Sequence, residues 1–181
     1  LPNDPHIYVM AMFWLPEELL ERRVREDRIP YDLWKDQGYL RTCDGNKVRQ
    51  KDVTDWFLEV QNDLDCYIYR GGYDAWSASY WVDEMQETFG KGVFTPVQQT
   101  MKVLSLPMKQ LGADFDSKLI VYNNNPVLKW CLANTGIVED KNGNIKPNKT
   151  SKARKRIDGL AALLDAFVVF QDCQDDYKSM L

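Results

Sequence analysis

Blocks of apolar residues alternate with amphipathic stretches along the chain, and the pattern predicts strands followed by helices. Residues 6–14 form an almost uninterrupted apolar run, typical of a strand buried at the centre of a sheet. Shorter runs predict further strands at 38–42, 66–69, 92–95 and 118–122. Because helical patterns separate these runs, the expected fold class is α/β, with helices flanking one mixed sheet.

The helices are predicted from apolar spacing and from their terminal residues. Helical patterns cover 15–28, 48–60, 126–134 and 157–170, and one more follows the strand at 66–69. Pro126 suits the first helical position, where its missing N–H is not needed. By the same argument Pro96 is expected to open a helix. Pro107 is expected to break that helical region into two pieces, because proline clashes with the preceding turn.

A hairpin and a basic stretch come before the last helix. Asn142-Gly143, within residues 136–149, is the strongest short signal for a hairpin. From Lys141 to Arg156 there is no acidic residue, and the stretch ends with the cations Lys149, Lys152, Arg154, Lys155 and Arg156. Taken alone, the stretch is either a solvated loop or a surface that contacts nucleic-acid phosphates.

Composition excludes several classes of protein. The 181 residues carry 23 basic and 27 acidic side chains, and the formal net charge of −4 gives no prior for a basic nucleic-acid coat. No apolar run approaches the length of about 20 residues that spans a membrane. Four cysteines without a C-x-x-C pair and a single histidine argue against a zinc site and a histidine-based triad. The cysteines are interpreted as small core residues of a reducing cytosol.

Three aspartates stand out by their positions. Asp74 follows a predicted strand and two glycines, and Asp158 lies where the basic stretch meets the last helix. Each fits either a metal-binding role or an ordinary one, as a helix cap or as a complement to the helix dipole. Asp165 lies seven residues after Asp158, on nearly the same helix face, and interrupts an apolar run. Its carboxylate must be paired, hydrated or bound to a cation.

An ordered set of motifs resembles the nuclease domain of the terminase large subunit of tailed bacteriophages. The motifs are Phe13-Trp14-Leu15-Pro16-Glu17, Gly38-Tyr39-Leu40, Tyr73-Asp74-Ala75-Trp76, Asn125-Pro126-Val127-Leu128-Lys129-Trp130, Asp140-Lys141-Asn142-Gly143-Asn144 and Arg156-Ile157-Asp158-Gly159-Leu160. Each motif is weak alone, but the order and spacing match the family over nearly the whole chain. At 123–124, two asparagines stand where relatives often have a histidine.

The resemblance implies a ribonuclease H-like fold and a two-metal endonuclease. Residues 1–181 would be one nuclease domain that lacks the family's first strand with its catalytic aspartate. The upstream ATPase domain is also absent, since no G-x-x-x-x-G-K-[ST] motif occurs. By resemblance Asp74 and Asp158 are two of the family's catalytic, metal-binding acids, and Asp165 is a further candidate. Such acids hold two Mg²⁺ or Mn²⁺ ions, which prefer oxygen ligands.

The resemblance also implies what such a domain acts on and with. Its substrate would be double-stranded DNA, in the form of viral concatemers cut during packaging, and the basic residues from Lys149 to Arg156 would lie on the phosphates. Its partners would be an ATPase domain, a terminase small subunit and a portal, in the cytoplasm of a bacterial host and with no membrane. Two alternatives stay open: another ribonuclease H-like nuclease, or a non-catalytic module that docks on the portal or contacts DNA.

Overall fold

The computed structural model describes residues 4–76, 79–149 and 155–180. Its strands are β1 Ile7–Tyr8, β2 Trp14–Pro16, β3 Arg41–Cys43, β4 Gly71–Asp74, β5 Phe94–Val97, β6 Ile120–Val121, β7 Thr135–Glu139 and β8 Ile145–Lys149. Its helices are α1 Leu20–Asp27, α2 Tyr31–Asp36, α3 Gln50–Asp63, α4 Ser79–Phe89, α5 Met101–Asp116, α6 Pro126–Asn134 and α7 Asp158–Met180. The predicted alternation of strands and helices is confirmed.

The strands pair differently from the single mixed sheet that the sequence predicts. Within the described ranges they form four two-stranded ladders: β1 with β6, β2 with β3 and β4 with β5 are parallel, and β7 with β8 is an antiparallel hairpin. The predicted hairpin is confirmed: its loop covers residues 140–144, the N–H of Gly143 donates a hydrogen bond of 3.0 Å to the carbonyl of Asp140, and Gly143 has a positive φ of 76°. The parallel ladders are only two to four residues long, so the sheet is interrupted rather than continuous.

The apolar run at 6–14 is not the fully buried central strand that was predicted. Ile7 and Val9 pack against the main core, whereas Tyr8 and Met10 are 60% and 53% exposed. This alternation has the two-residue period of a strand whose second face is uncovered. Residues 9–13 lie outside regular strand and divide the run into β1 and β2.

The strand predicted at 66–69 is displaced to β4. Tyr67 is 73% exposed, and the parallel pairing with β5 begins at Gly71 instead. The reason is close packing of the backbone against α7: a Cβ on Gly72 would lie 2.5 Å from the carbonyl oxygen of Asp165. Only glycine permits this approach, so the strand forms where the glycines are and not where the apolar residues are.

The expectations for Pro96 and Pro107 were wrong, whereas Pro126 opens α6 as predicted. Pro96 lies within β5, and α5 begins five residues later, after Thr100, whose hydroxyl accepts a hydrogen bond from the N–H of Val103. Pro107 lies inside α5, which continues through it to Asp116. Pro107 is buried, so packing around it holds the helix together across the hydrogen bond that proline removes.

The long last helix organises the core. Helix α7 starts at Asp158, close to the predicted position, but extends ten residues beyond the predicted end at 170. It packs against β4, β5, α5 and α6. Its buried residues Leu160, Leu164 and Phe167 join Leu104 and Leu111 of α5 in the main hydrophobic cluster. The main hydrophobic cluster is therefore built on α7, whereas a second cluster formed by Leu20, Tyr31, Trp34, Leu40 and Val127 does not include this helix.

The four cysteines are all free, and only two are the core residues that were predicted. Cys43 and Cys131 are buried, but Cys66 is exposed and Cys173 is half-buried. No helix in the described part of the chain is long and apolar enough to span a membrane.

Candidate active site

The carboxyl ends of β4 and β5 bring two of the predicted acids together. In the parallel register Asp74, the last residue of β4, lies opposite Val97, the last residue of β5. Gln99 follows two residues later. Carboxyl ends of parallel strands are the usual position of binding sites in α/β proteins, because the loops that follow them converge at one edge. Helix α7 passes this edge and contributes Asp165 to it.

Asp165 is buried and held in place by Gln99. The residue is 4% exposed, and its Oδ1 accepts a hydrogen bond of 2.8 Å from Nε2 of Gln99, which also donates to the carbonyl of Val97 at 3.2 Å. The pKa of Asp165 is raised to about 6, because burial disfavours the charged carboxylate and the charge of Asp74 adds to this, while the hydrogen bond from Gln99 partly offsets both.

Asp74 is held by the chain that follows it. Its Oδ1 accepts a hydrogen bond of 3.0 Å from the backbone N–H of Trp76, two residues on. This is the local turn that an aspartate makes when a strand ends. The Trp76 side chain is 92% exposed. The two residues after β4 thus turn away from the strand, and Asp74 and Asp165 are close enough for the charge of one to act on the other.

Asp158 lies at the other end of the same face of α7. It is exposed and is the first residue of the helix, seven residues and therefore about 10 Å along the helix axis from Asp165. The charge of Asp158 acts on Cys131 and helps raise the pKa of that thiol to about 11, although burial is the larger cause. The next residue is Gly159, and a Cβ there would lie 3.0 to 3.1 Å from atoms of Phe13 and Cys131.

An apolar groove of about 510 Å³ lies beside Asp158. Its walls are formed mainly by Phe13, Leu15, Leu19, Leu40, Val127 and Trp130, and its polar groups belong to Arg23, Asp27, Tyr31, Arg156 and Asp158. We call it the Asp158 groove. It brings residues of α1 and α2 next to the start of α7, which the linear sequence does not suggest.

The predicted DNA-contact residues are only partly within the described ranges. Lys149 is exposed at the end of β8, opposite Thr135. Lys155 and Arg156 are half-buried just before α7, and the backbone carbonyl of Arg156 accepts a hydrogen bond of 3.2 Å from Nδ2 of Asn134. Lys152 and Arg154 lie outside the described residues.

The structure places Asp165, the weakest of the three sequence candidates, near enough to Asp74 for their charges to interact, and Gln99 hydrogen-bonds to Asp165. Across residues 4–76, 79–149 and 155–180, no group of three or more His, Cys, Asp or Glu side chains is arranged to hold a metal ion. That Asp74 and Asp158 share a cation stays a prediction. Gln99 was missed because the preceding strand was predicted to end at 95 and Pro96 to open a helix. With β5 ending at Val97, Gln99 belongs to the same sheet edge as Asp74.

Comparison with known proteins identifies the class of this domain. Residues 1–173 match the family model described as "Terminase large subunit, endonuclease domain". The chain therefore belongs to the terminase large subunit endonuclease family, and its fold is ribonuclease H-like. The family match confirms the resemblance drawn from the sequence motifs. It also distinguishes the chain from other ribonuclease H-like nucleases.

Two relatives and one solved structure make the match specific. The chain is 31% identical over 159 residues to the large terminase subunit of Enterobacteria phage HK97, covering 86% of this chain and 30% of that protein. It is 25% identical over 176 residues to protein YmfN of Escherichia coli K12, covering 92% of this chain and 37% of that one. The crystal structure of the HK97 large terminase matches with a TM-score of 0.80 at 28% identity, over 92% of this chain and 34% of that chain. The chain thus spans about a third of the length of these relatives.

Proposed function

We propose that this domain is the metal-dependent endonuclease of a phage packaging motor, cleaving double-stranded DNA concatemers. One observation carries the proposal: in a chain of the terminase endonuclease family, Asp74 ends β4 beside β5, and the buried Asp165 of α7 is near enough for the charge of Asp74 to raise its pKa. A buried carboxylate whose charged form is disfavoured by a neighbouring carboxylate is stabilised when a cation enters between them.

The donor set fits Mg²⁺ or Mn²⁺. Asp74 and Asp165 supply hard carboxylate oxygens, and Asp158 supplies another at the start of α7. We propose that Asp74 and Asp158 are the catalytic metal-binding acids and that Asp165 completes the set. When bound, two such ions would neutralise the phosphodiester, activate the attacking water and stabilise the leaving 3′ oxygen.

The chain's own residues would hold this arrangement and bring the DNA to it. The N–H of Trp76 orients the Asp74 carboxylate, and Gln99 orients that of Asp165. Lys149, Lys155 and Arg156, with Lys152 and Arg154 between them in the sequence, would contact DNA phosphates without reading the base sequence. In the complete protein the partners would be the ATPase domain, the small subunit and the portal, in the cytoplasm of the bacterial host.

The proposal predicts which substitutions abolish cleavage. In the full-length protein, Asp74→Ala or Asp158→Ala should reduce Mn²⁺-dependent nicking of a supercoiled plasmid by about 10³-fold or more, since each removes a ligand that positions the ion. The matched control is Asp172→Ala, which removes an exposed carboxylate farther along α7 and should leave nicking within twofold. Undiminished cleavage in both test variants would refute the catalytic assignment and favour the alternative of a non-catalytic docking module.

Asp165 has a separate test that does not depend on catalysis. Asp165→Asn should weaken Mn²⁺ binding, measured by isothermal titration calorimetry, by about tenfold or more, because a neutral amide is a poorer ligand than a carboxylate. The same variant in EDTA keeps the hydrogen bond with Gln99 available. Equal Mn²⁺ affinity in variant and parent would remove Asp165 from the metal-binding set and leave Asp74 and Asp158.

A further inference from the structure

Two arginines that have no carboxylate partner among the described residues face the Asp158 groove. Arg23 comes from α1 and Arg156 immediately precedes α7, and both line the groove. No carboxylate of the described residues forms an ion pair with either, whereas Arg22 and Arg41 each form one and Arg49 forms two. Both groove arginines are half-buried. A guanidinium that is partly desolvated and unpaired is poised to bind an anion.

The two guanidinium groups act on one small region. Burial is the largest cause of a raised pKa at the Tyr31 hydroxyl, and Asp27 adds to it, whereas Arg156 and Arg23 both oppose the shift. The Tyr31 hydroxyl donates a hydrogen bond of 3.0 Å to Asp27. The charges of Arg23 and Arg156, which are far apart in the sequence, therefore act on the same hydroxyl, and Tyr31 lines the same groove.

The apolar walls indicate that the anion has an apolar part attached. A volume of about 510 Å³ is in the range that holds an organic ligand and is much larger than a phosphate ion requires. Phe13, Leu15 and Val127 offer hydrocarbon surface next to the two guanidinium groups. A sugar joined to a phosphate matches this combination, since the sugar ring has apolar faces and the phosphate takes the cationic side.

We propose that the Asp158 groove binds the sugar–phosphate backbone of a DNA strand, with Arg23 and Arg156 on a phosphate and deoxyribose against the apolar wall. The inference rests on the proposed function in taking DNA as the ligand. It adds a residue, Arg23, that lies far from the basic stretch in the sequence. The amino end of α7, at Asp158, opens on the same groove and supplies partial positive charge.

The carboxylates in the groove provide a second test, with an expected effect opposite to that of the arginines. Asp27 and Asp158 also line it, so the lining has no net positive charge from its ionisable side chains. One Asp27 oxygen is occupied by the Tyr31 hydroxyl. The charge of Asp27 should still repel a phosphate, so removing it should strengthen DNA binding. A merely structural role for Arg23 predicts no such opposite effect.

The test compares neighbouring arginines of one helix. Binding of the full-length protein to a short fluorescein-labelled DNA duplex is measured by anisotropy in EDTA, where cleavage cannot contribute. Arg23→Gln should weaken binding about tenfold at low salt and reduce the slope of log K against log salt by about 0.9. Arg22→Gln is the control, since Arg22 is exposed and 3.9 Å from Glu26, and it should change affinity less than twofold. Asp27→Asn should tighten binding.

Different results overturn different claims. Equal affinity and salt slope for Arg23→Gln and Arg22→Gln would refute the groove as a DNA site, as would weaker binding in Asp27→Asn with an unchanged melting temperature. If inorganic phosphate at equal phosphate concentration displaces the labelled duplex as well as unlabelled DNA does, the groove is a free-phosphate site and the proposal fails. Because these measurements exclude catalysis, their failure would leave the nicking results for Asp74→Ala and Asp158→Ala untouched.

Discussion

Asp165 and Asp158 lie on nearly the same face of α7 but differ in their surroundings, and therefore in their effect on the stability of the fold. Asp165 lies beneath β4, 4% exposed, hydrogen-bonded to Gln99 and close to another carboxylate. Asp158, seven residues earlier on nearly the same face, is exposed at the start of the helix and opens on a groove. The same residue type in the same register thus occupies a strained environment at one end and a solvated one at the other.

Under the proposed function, the two ends of the helix would have different roles. At the buried end, packing holds the carboxylates in place before any cation or substrate binds, although the negative charges of Asp74 and Asp165 repel each other. At the open end, the groove leaves room for a substrate next to an acid that is not otherwise constrained. Under the proposed function, metal-assisted cleavage requires both preorganised ligands and an accessible substrate surface, and α7 would carry both.

The largest expected effect comes from filling the space between β4 and α7. A Cβ on Gly72 would lie 2.5 Å from the Asp165 carbonyl oxygen and 2.8 Å from Cγ2 of Val169, and the carbonyl is backbone that cannot rotate away. Gly72→Ala should therefore lower the free energy of unfolding by about 3 kcal/mol, at the upper end of the cost of overpacking. Urea denaturation followed by circular dichroism measures this. A loss below about 0.5 kcal/mol would mean that β4 and α7 are not packed this closely.

Much of the fold could be predicted from the sequence, because apolar periodicity reports directly on burial. The hairpin, the start of α7 and the helix that begins at Pro126 follow from local signals, and the structure confirms them. Strand β4 could not be placed, because its position is decided by the close approach of Gly72 to α7, a contact between residues far apart in the sequence. The exposed apolar residues at 66–69 instead gave a false strand signal.

The site could be predicted only as far as single residues signal their chemistry. Asp74, Asp158 and Asp165 stand out in the sequence, because a carboxylate next to an apolar run needs a reason. Gln99 and Arg23 do not stand out, since each owes its place to tertiary contacts: Gln99 to the register of β5 with β4, and Arg23 to the packing of α1 near the start of α7. Both are common residue types, so only their positions in the folded structure indicate a role at the site.

An intermediate effect is expected from neutralising the buried acid, and its size depends on pH. The pKa of Asp165 is raised from an ordinary 3.8 to about 6, so the stability that protonation gives the fold is complete below about pH 4 and is lost as the pH rises through 6. Asp165→Asn should match the parent near pH 4 and be more stable by about 2 kcal/mol at pH 8 in EDTA. Urea unfolding at both pH values measures this. A stability difference that does not change with pH would contradict the buried, repelled carboxylate.

The smallest effect is expected at the open end of α7, where the packing is tight but against side chains. A Cβ on Gly159 would lie 3.0 Å from Cε1 of Phe13 and 3.1 Å from Cβ and Sγ of Cys131, so the aromatic ring must give by a few tenths of an ångström. Gly159→Ala should lower the unfolding free energy by about 1 kcal/mol, well below the loss at Gly72.

The control for that substitution is Gly112→Ala in α5, where no atom lies within 4 Å of the added Cβ. This change should raise stability by about 0.5 to 1 kcal/mol, because alanine has the higher helix propensity. The three substitutions thus compare an added Cβ that meets backbone at Gly72, side chains at Gly159 and open space at Gly112. If Gly159→Ala costs as much as Gly72→Ala, the start of α7 is as rigidly enclosed as its middle, and the contrast between a fixed end and an accessible end of the helix does not hold.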